Sequence, residues 1–103
     1  MDAHERLDRW SLAMMREIVA RIDADPTRAG LARARATAQR WHNQSPSRAV
    51  HEWLGLLDLP WEELRQLLLD EGDEGQRLRS TAPFCGILSQ RERLDLFRQF
   101  RAS

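Results

Sequence analysis

The strongest constraint on the fold is a set of helix-start signals placed at short intervals along the chain. Asp-Pro at 25–26 and Ser-Pro at 45–46 each combine a residue that accepts hydrogen bonds at a helix N-cap with a proline at the first helical position. Leu-Pro at 59–60 restarts the chain in a similar way. Between these points apolar residues recur at helical spacing, and no stretch alternates as a strand does. The chain is therefore predicted to be all-α.

We predict five helices and one short helical turn, joined by connections that are mostly two to six residues long. A chain of 103 residues supplies one modest core, and helices joined so closely leave no room for a sheet. The expected architecture is a small single-domain bundle over residues 1–103, with a Pro-Phe-x-Gly loop before the last helix. The predicted helices are 2–25, 26–42, 46–57, 60–72 and 89–103, and the short turn is 73–79.

Apolar stripes identify the helix sides that are expected to face the core. In the first and second helices the apolar positions gather within an arc of about 120° or less on 3.6-residue geometry. In the last helix they recur every three residues. The expected inward positions are Leu7, Trp10, Met14, Ile18 and Ile22 in the first helix, Leu31, Ala34, Ala38 and Trp41 in the second, and Leu94, Phe97 and Phe100 in the last.

Composition excludes several classes of protein. The lone cysteine, Cys85, cannot form an internal disulfide, so the chain is not a disulfide scaffold. No apolar run approaches the roughly 18 residues of a membrane span, and the N-terminal residues do not lead into a signal peptide. We therefore expect a cytoplasmic protein that does not associate with membranes.

The residues that could carry chemistry are not arranged for it. His4, His42 and His51 are far apart, and none has a second metal-binding residue one helical turn away. The acidic run 70–75 lacks the alternating ligands of a calcium loop. Cys85 lies among apolar neighbours and is expected to be a buried packing residue. We expect a non-catalytic protein with no metal and no cofactor.

The basic residues are unevenly distributed although the net charge is zero. Residues 28–48 hold five arginines and no acid, whereas residues 58–74 hold seven acids and one arginine. Most of the basic stretch lies in the second predicted helix, where three alanines on the outer side separate two rows of arginine. The rows are Arg28 with Arg35 and Arg33 with Arg40.

Small residues between two arginine rows allow another surface to approach closely. That surface is expected to be an acidic protein face, which includes residues 58–74 of this same chain, or a phosphate backbone. The remaining interpretation is a solvated helix face in a sequence whose sixteen basic residues are all arginine. We expect protein contact ahead of nucleic acid, because the stretch contains no identifiable base-reading helix.

The C-terminal third carries a distinctive motif, EGQRLRSTAPFCGILSQRER, at residues 74–93. It consists of an acid and a glycine, Leu-Arg, a short polar run, Pro-Phe-x-Gly-x-Leu-Ser, and Glu-Arg. The motif resembles a signature of small bacterial helical proteins similar to the antitoxin halves of toxin–antitoxin pairs, and the likeness extends over about residues 20–100. Cys85 stands where the relatives carry a small residue, and Leu94 stands where they carry tryptophan. The resemblance implies that the chain neutralises a toxin encoded beside it.

Elementary chemistry also gives the motif a structural interpretation. Two apolar residues can anchor the loop to the core, a proline can fix its direction, a glycine can allow an unusual backbone angle, and a capping box can start the last helix. These residues are Leu78 and Phe84, Pro83, Gly86, and Ser89 with Glu92. In the functional interpretation, Arg79, Arg91 and Arg93 surround the loop and engage acidic groups of a partner.

We therefore predict a non-catalytic protein-binding module, and more specifically an antitoxin. One alternative is a small DNA-binding regulator that uses residues 28–48. Another is a self-associating structural module, because four tryptophans and fifteen leucines are plentiful for a core of this size. In that case some of these residues would lie at a homodimer interface.

Overall fold

A computed structural model describes residues 2–102, which form six α-helices. The helices are α1 (Ala3–Ala24), α2 (Ala29–Gln44), α3 (Arg48–Leu56), α4 (Trp61–Leu68), α5 (Asp73–Ser80) and α6 (Gln90–Ala102). No strand occurs among the described residues, which confirms the predicted all-α class. The short turn predicted at 73–79 is a helix of eight residues, because α5 packs against both α1 and α4 and is stabilised by them.

The start of α2 lies three residues later than predicted. The Asp25 carboxylate accepts hydrogen bonds from the backbone N–H of Thr27 at 2.9 Å and of Ala29 at 3.0 Å. It therefore stabilises a turn through Pro26 that precedes the helix. Arg28, the residue before the helix, has a left-handed backbone with φ 53°. The prediction of a helix beginning at Pro26 is wrong because Asp25 satisfies the backbone of a turn.

The capping serine of α3 is also displaced from its predicted position. The Ser47 hydroxyl accepts a hydrogen bond from the backbone N–H of Val50 at 3.2 Å. Ser45, which was the predicted cap, instead ends α2 by donating its backbone N–H to the Trp41 carbonyl at 2.8 Å. The Ser-Pro-Ser segment between the two helices therefore closes one helix before it opens the next.

The core is one continuous cluster formed by α1 to α5 and the loop before α6. Large side chains at its centre lose nearly all contact with water, which supplies the main stabilisation of a chain without a disulfide. The Trp53 ring packs edge-to-face on Phe84, with ring centroids 5.7 Å apart. The most buried large side chains are Ile22, Trp53, Leu64, Leu68, Leu78, Pro83 and Phe84.

The buried side of α1 differs from the predicted stripe. Met15, Ile18 and Ile22 lie in the core, but Leu7 is 65% exposed. Trp10 and Met14 are only half-buried. The helix packs against α2, α5 and α6 at once, so its apolar residues belong to more than one face. The prediction is right for the C-terminal half of the stripe and wrong for Leu7. The remaining buried positions of α1 are Leu12 and Val19.

Gly30 allows α1 and α2 to approach closely. A Cβ atom at this position would lie 2.8 Å from Ile22 Cγ1 and 3.3 Å from Ile87 Cδ1. A side chain there would push α2 away from α1 and from the loop before α6. The glycine is therefore required by packing, since its backbone has no positive φ.

Candidate functional site

Arg79 is buried within the protein. Its Nη1 donates to the carbonyl oxygens of Leu68 at 3.1 Å and Asp70 at 2.5 Å, and its Nη2 lies 3.2 Å from Asp8 Oδ1. The side chain is 0% exposed. Arg79 thus joins α5 to the end of α4 and to α1, and the prediction that it contacts a partner is wrong. The carbonyls left free at the end of α4 explain its position, because they need donors.

The acid and glycine of the motif complete the same junction. The Asp70 carboxylate accepts hydrogen bonds from the backbone N–H of Gly72 and of Gly75, both at 3.1 Å. A Cβ atom on Gly75 would lie 2.0 Å from the Asp70 carbonyl oxygen. The chain can pass this point only with glycine at position 75. This part of the motif is therefore explained by the packing of α5 against α4.

The middle of the motif anchors the loop as predicted. Leu78, Pro83 and Phe84 are buried, which confirms them as core anchors. The Trp53 Nε1 donates to the Thr81 hydroxyl at 3.0 Å and so fixes the loop on α3. The rigid loop holds the start of α6 in a defined position.

Two predictions for the loop tip are wrong. Cys85 is exposed, because the chain turns outward after Phe84 and returns with the Ile87 N–H donating to the Phe84 carbonyl at 3.2 Å. Gly86 has no positive φ, and a Cβ atom there would meet nothing within 4 Å. The tip accepts side chains at both positions without burying either one.

The predicted capping box of α6 is confirmed. Ser89 donates its backbone N–H to Glu92 Oε1 at 2.9 Å, and Glu92 donates its N–H to the Ser89 hydroxyl at 3.1 Å. Glu92 also forms an ion pair with Arg21 of α1. Hydrogen bonds from Ser89, together with Arg21, lower the pKa of the Glu92 carboxyl. The box therefore starts α6 and attaches it to α1.

The other two arginines of the motif differ in their surroundings. Arg93 is half-buried and donates to the Cys85 carbonyl oxygen, so it stabilises the loop tip. Arg91 is exposed and forms no ion pair or hydrogen bond in the part of the chain that the structure describes. Of the three arginines predicted around the loop, only Arg91 is free to meet a partner.

One arginine row of α2 binds within the protein. Arg28 donates to the Ile22 carbonyl at 2.8 Å. Arg35 donates to Asp58 Oδ1 at 2.8 Å and to the Leu57 carbonyl at 2.7 Å. Arg35 therefore contacts the acidic stretch 58–74 of the same chain, through Asp58. Both residues therefore have partners within the protein, although half of the Arg35 side chain stays exposed.

The other row of α2 remains open. Arg33 and Arg40 are exposed on the side away from the buried Ala34 and Ala38. Over residues 2–101, neither guanidinium has an ion pair or a hydrogen bond with a protein group. The two side chains are cations without a counter-charge.

A surface that sequence reasoning missed lies where α1 and α6 meet. Leu7, Leu94 and Phe97 are 65%, 48% and 40% exposed. Trp10 of α1 contacts α6, with its ring centroid 5.5 Å from that of Phe97 in an edge-to-face arrangement. Leu7 stands three residues before Trp10 on α1, and Leu94 three residues before Phe97 on α6. We name these four residues the α1/α6 patch. The side of α6 that packs on the core cluster is marked by Leu96, roughly 160° around the helix from Leu94.

The α1/α6 patch has a positively charged rim. Exposed arginines outnumber acids on the outer side of α6, where three arginines stand beside Asp95. The guanidinium carbon of Arg101 lies 6.0 Å from the centroid of the Phe97 ring. The three arginines are Arg91, Arg98 and Arg101.

An open groove of about 460 Å³ lies between α1 and α5. Its walls include His4, Leu7 and Gln76, with Arg77 held by Glu52 at 2.9 Å. Among the described residues, no group of three or more His, Cys, Asp or Glu is placed to hold a metal ion. Nor does any helix of this part of the chain have the length and apolar character needed to cross a membrane.

The fold and the open side chains define a small all-α protein with an apolar patch on one side and unpaired arginines on another. Comparison with protein-family models, curated proteins and solved structures finds no match to this chain.

Proposed function

We propose that the chain is a non-catalytic protein-binding module that contacts its partner with the α1/α6 patch. The observation that carries this proposal is the exposure of Leu7, Leu94 and Phe97 on the two helices that the Trp10–Phe97 ring contact joins. Aromatic residues and arginine are enriched at the centres of protein interfaces, where they contribute most of the binding energy. The patch supplies two aromatic residues, and arginines stand at its rim.

The charge of the rim indicates the chemistry of the partner. Arg91, Arg98 and Arg101 outnumber Asp95 on the outer side of α6. A matching surface has an apolar depression surrounded by carboxylates, which arginine can bind through two parallel hydrogen bonds. Such a surface would cover the apolar side chains and neutralise the arginines at the same time.

The more specific proposal is that this partner is a toxin encoded beside the chain. The motif at 74–93 supports it through its likeness to antitoxin-like proteins. Within the motif, Arg91 is exposed and has no ion pair or hydrogen bond among the described residues. An acidic active site on the toxin would fit a rim of this charge.

The test is co-expression with the product of the neighbouring reading frame. Leu94→Asp places a charge in the α1/α6 patch, whereas Gln99→Glu adds the same charge to an exposed position outside it. We expect the wild-type chain and Gln99→Glu to co-elute with the neighbouring product and to relieve its toxicity. Loss of a central contact of about 2 kcal/mol predicts a roughly 30-fold weaker complex for Leu94→Asp.

Three outcomes contradict the proposal. In the first, the two proteins elute separately and the chain does not relieve toxicity. In the second, Leu94→Asp binds as tightly as Gln99→Glu, which removes the α1/α6 patch from the interface. In the third, the chain alone sediments as a dimer and Leu94→Asp converts it to a monomer, which assigns the patch to self-association.

A further inference from the structure

We propose that α2 carries a second binding surface, which contacts the phosphate backbone of a nucleic acid. The proposal takes Arg33 and Arg40 of α2 as one surface with Arg48, which opens α3 four residues after the end of α2, and we name this surface the α2 basic face. It shares no residue with the α1/α6 patch. A failure of the protein-binding proposal would therefore leave this one unaffected.

The arginines of the α2 basic face have no compensating acid nearby in the sequence. Residues 26–51 contain five arginines and no aspartate or glutamate. Arg28 and Arg35 donate to groups within the protein, which leaves three cations. Over the described residues none of these three has an ion pair or a hydrogen bond. A cluster of exposed cations that the protein does not neutralise attracts polyanions.

The exposed side of α2 has the composition of a phosphate-binding surface and lacks the anchors of a protein interface. The exposed side chains of α2 are alanine, arginine, glutamine and asparagine, and no aromatic or large aliphatic residue is exposed between 29 and 44. A protein interface needs such anchors at its centre, and the α1/α6 patch has them. Phosphate binding needs only cations and a smooth surface, which Ala29 and Ala36 provide beside Arg33 and Arg40.

The spacing of the cations along α2 matches the spacing of phosphates along a nucleic-acid strand. Arg33 and Arg40 are seven residues apart on one side of α2, which separates them by about 10.5 Å along the axis. This distance corresponds to about three nucleotides at the 3.4 Å rise of one DNA strand. Arg48 opens α3, where the positive end of the helix dipole also favours phosphate.

The amides beside the arginines indicate that binding does not depend on base sequence. Gln39 donates its side-chain amide to the Asn43 side-chain oxygen at 3.1 Å, and this bond holds the two amides against each other. We therefore expect the α2 basic face to contact phosphates, which carry no sequence information, more than base edges.

The experiment measures binding to a labelled 20-base-pair DNA duplex by fluorescence anisotropy at 50 to 200 mM salt. Three phosphate contacts predict a slope of log Kd against log salt of about 2.7, or a roughly 40-fold weakening over this range. In Arg33→Gln/Arg40→Gln the slope should fall to about 0.9, with a weakening of only about 3.5-fold. Both arginines are exposed and unpaired, so circular dichroism should show an unchanged fold.

The matched control is Arg9→Gln/Arg16→Gln. These arginines are also exposed and seven residues apart on one helix, but Arg16 lies 3.9 Å from Glu71. We expect the control to keep the wild-type slope to within about 0.5. Equal slopes for the two double variants would show that only net charge matters and would overturn the proposal. It is also overturned if poly-glutamate displaces the duplex as well as unlabelled DNA does at equal charge, because the α2 basic face then prefers an acidic protein.

Discussion

At the residue scale, Arg77 and Arg79 show how position decides the contribution of the same side chain. The guanidinium of Arg79 is buried against two carbonyl oxygens and Asp8, whereas Arg77 is half-exposed between Glu52 and Glu74. Removing Arg79 leaves buried acceptors without donors, and each unsatisfied group costs about 1–3 kcal/mol. We expect Arg79→Met to lower the free energy of unfolding by about 3 kcal/mol.

Arg77→Met is the matched control two residues away. Ion pairs at the surface contribute about 1 kcal/mol or less, so its effect on unfolding should be at most about that size. Urea denaturation of both variants at pH 7 makes the comparison. If the two substitutions destabilise the protein equally, the network around Arg79 is not the structural junction described above.

The sequence could not show that Arg79 is buried, because burial of a charge depends on atoms that lie far along the chain. Arg79 is buried because the Leu68 and Asp70 carbonyls lie opposite it, and Asp8 comes from α1. A sign was available in the sequence, since Gly75 stands one helical turn before Arg79 and indicates a close backbone approach. By contrast, Ser89 could be assigned from local pattern alone.

At the scale of one element, α6 depends on its capping box more than the core helices depend on their caps. None of its described side chains is fully buried, so packing holds this helix only weakly. Ser89→Ala removes the oxygen that accepts the Glu92 N–H, a loss of about 1 kcal/mol. We expect backbone amides of α6 to exchange hydrogen about fivefold faster, with little change elsewhere.

Ser89→Asp restores an accepting oxygen and should return the exchange of α6 to the wild-type rate. If Ser89→Ala accelerates hydrogen exchange in α1 and α3 as much as in α6, the prediction that α6 is held only weakly by packing is wrong. Such a result would make α6 part of the cooperative core.

The helices could be predicted, but the sides that face inward could not. Caps, prolines and apolar spacing identify most of the segments because these effects are local. In α6, however, apolar residues lie on two sides, and only the packing against α1 decides that Leu96 faces the protein and Leu94 faces outward. The residues of the α1/α6 patch belong to apolar stripes that predict core positions, so their exposure could not be predicted from the sequence. The unpaired state of Arg33 and Arg40 also depends on which acids the fold brings near them.

At the scale of the whole molecule, carboxylates that are hydrogen-bonded to arginine join helices that are distant in sequence. Asp23 of α1 accepts hydrogen bonds from Arg65 and Trp61 of α4, each at 2.7 Å, and these bonds lower its pKa. Arg77 of α5 lowers the pKa of Glu52 of α3 in the same way. The ion pair of Glu92 with Arg21 joins α6 to α1 in addition. Together these contacts join α1 to α4 and α6, and α3 to α5, so they involve five of the six helices of residues 2–102.

Their pKa shifts predict the pH dependence of stability. A carboxyl whose pKa is lower in the folded protein binds more protons when unfolded, so it stabilises the fold above its unfolded pKa of about 4. That stabilisation is lost as pH falls through the lower, folded pKa values. We expect the urea midpoint to be nearly constant from pH 7 to about 5.5 and to fall steadily from about pH 4.5 to 3.

Glu52→Gln identifies the source of this decline. The variant should be less stable than the wild type at pH 7, because Arg77 loses one carboxylate partner, and its urea midpoint should fall less steeply below about pH 4.5. Glu63→Gln, at an exposed carboxylate of α4 without an ion pair among the described residues, should follow the wild-type curve. Since Glu52 joins α3 to α5, its protonation should loosen both helices together, and circular dichroism and tryptophan fluorescence should therefore report the same midpoint at every pH. Separate midpoints would mean that acid detaches one helix and leaves the rest folded.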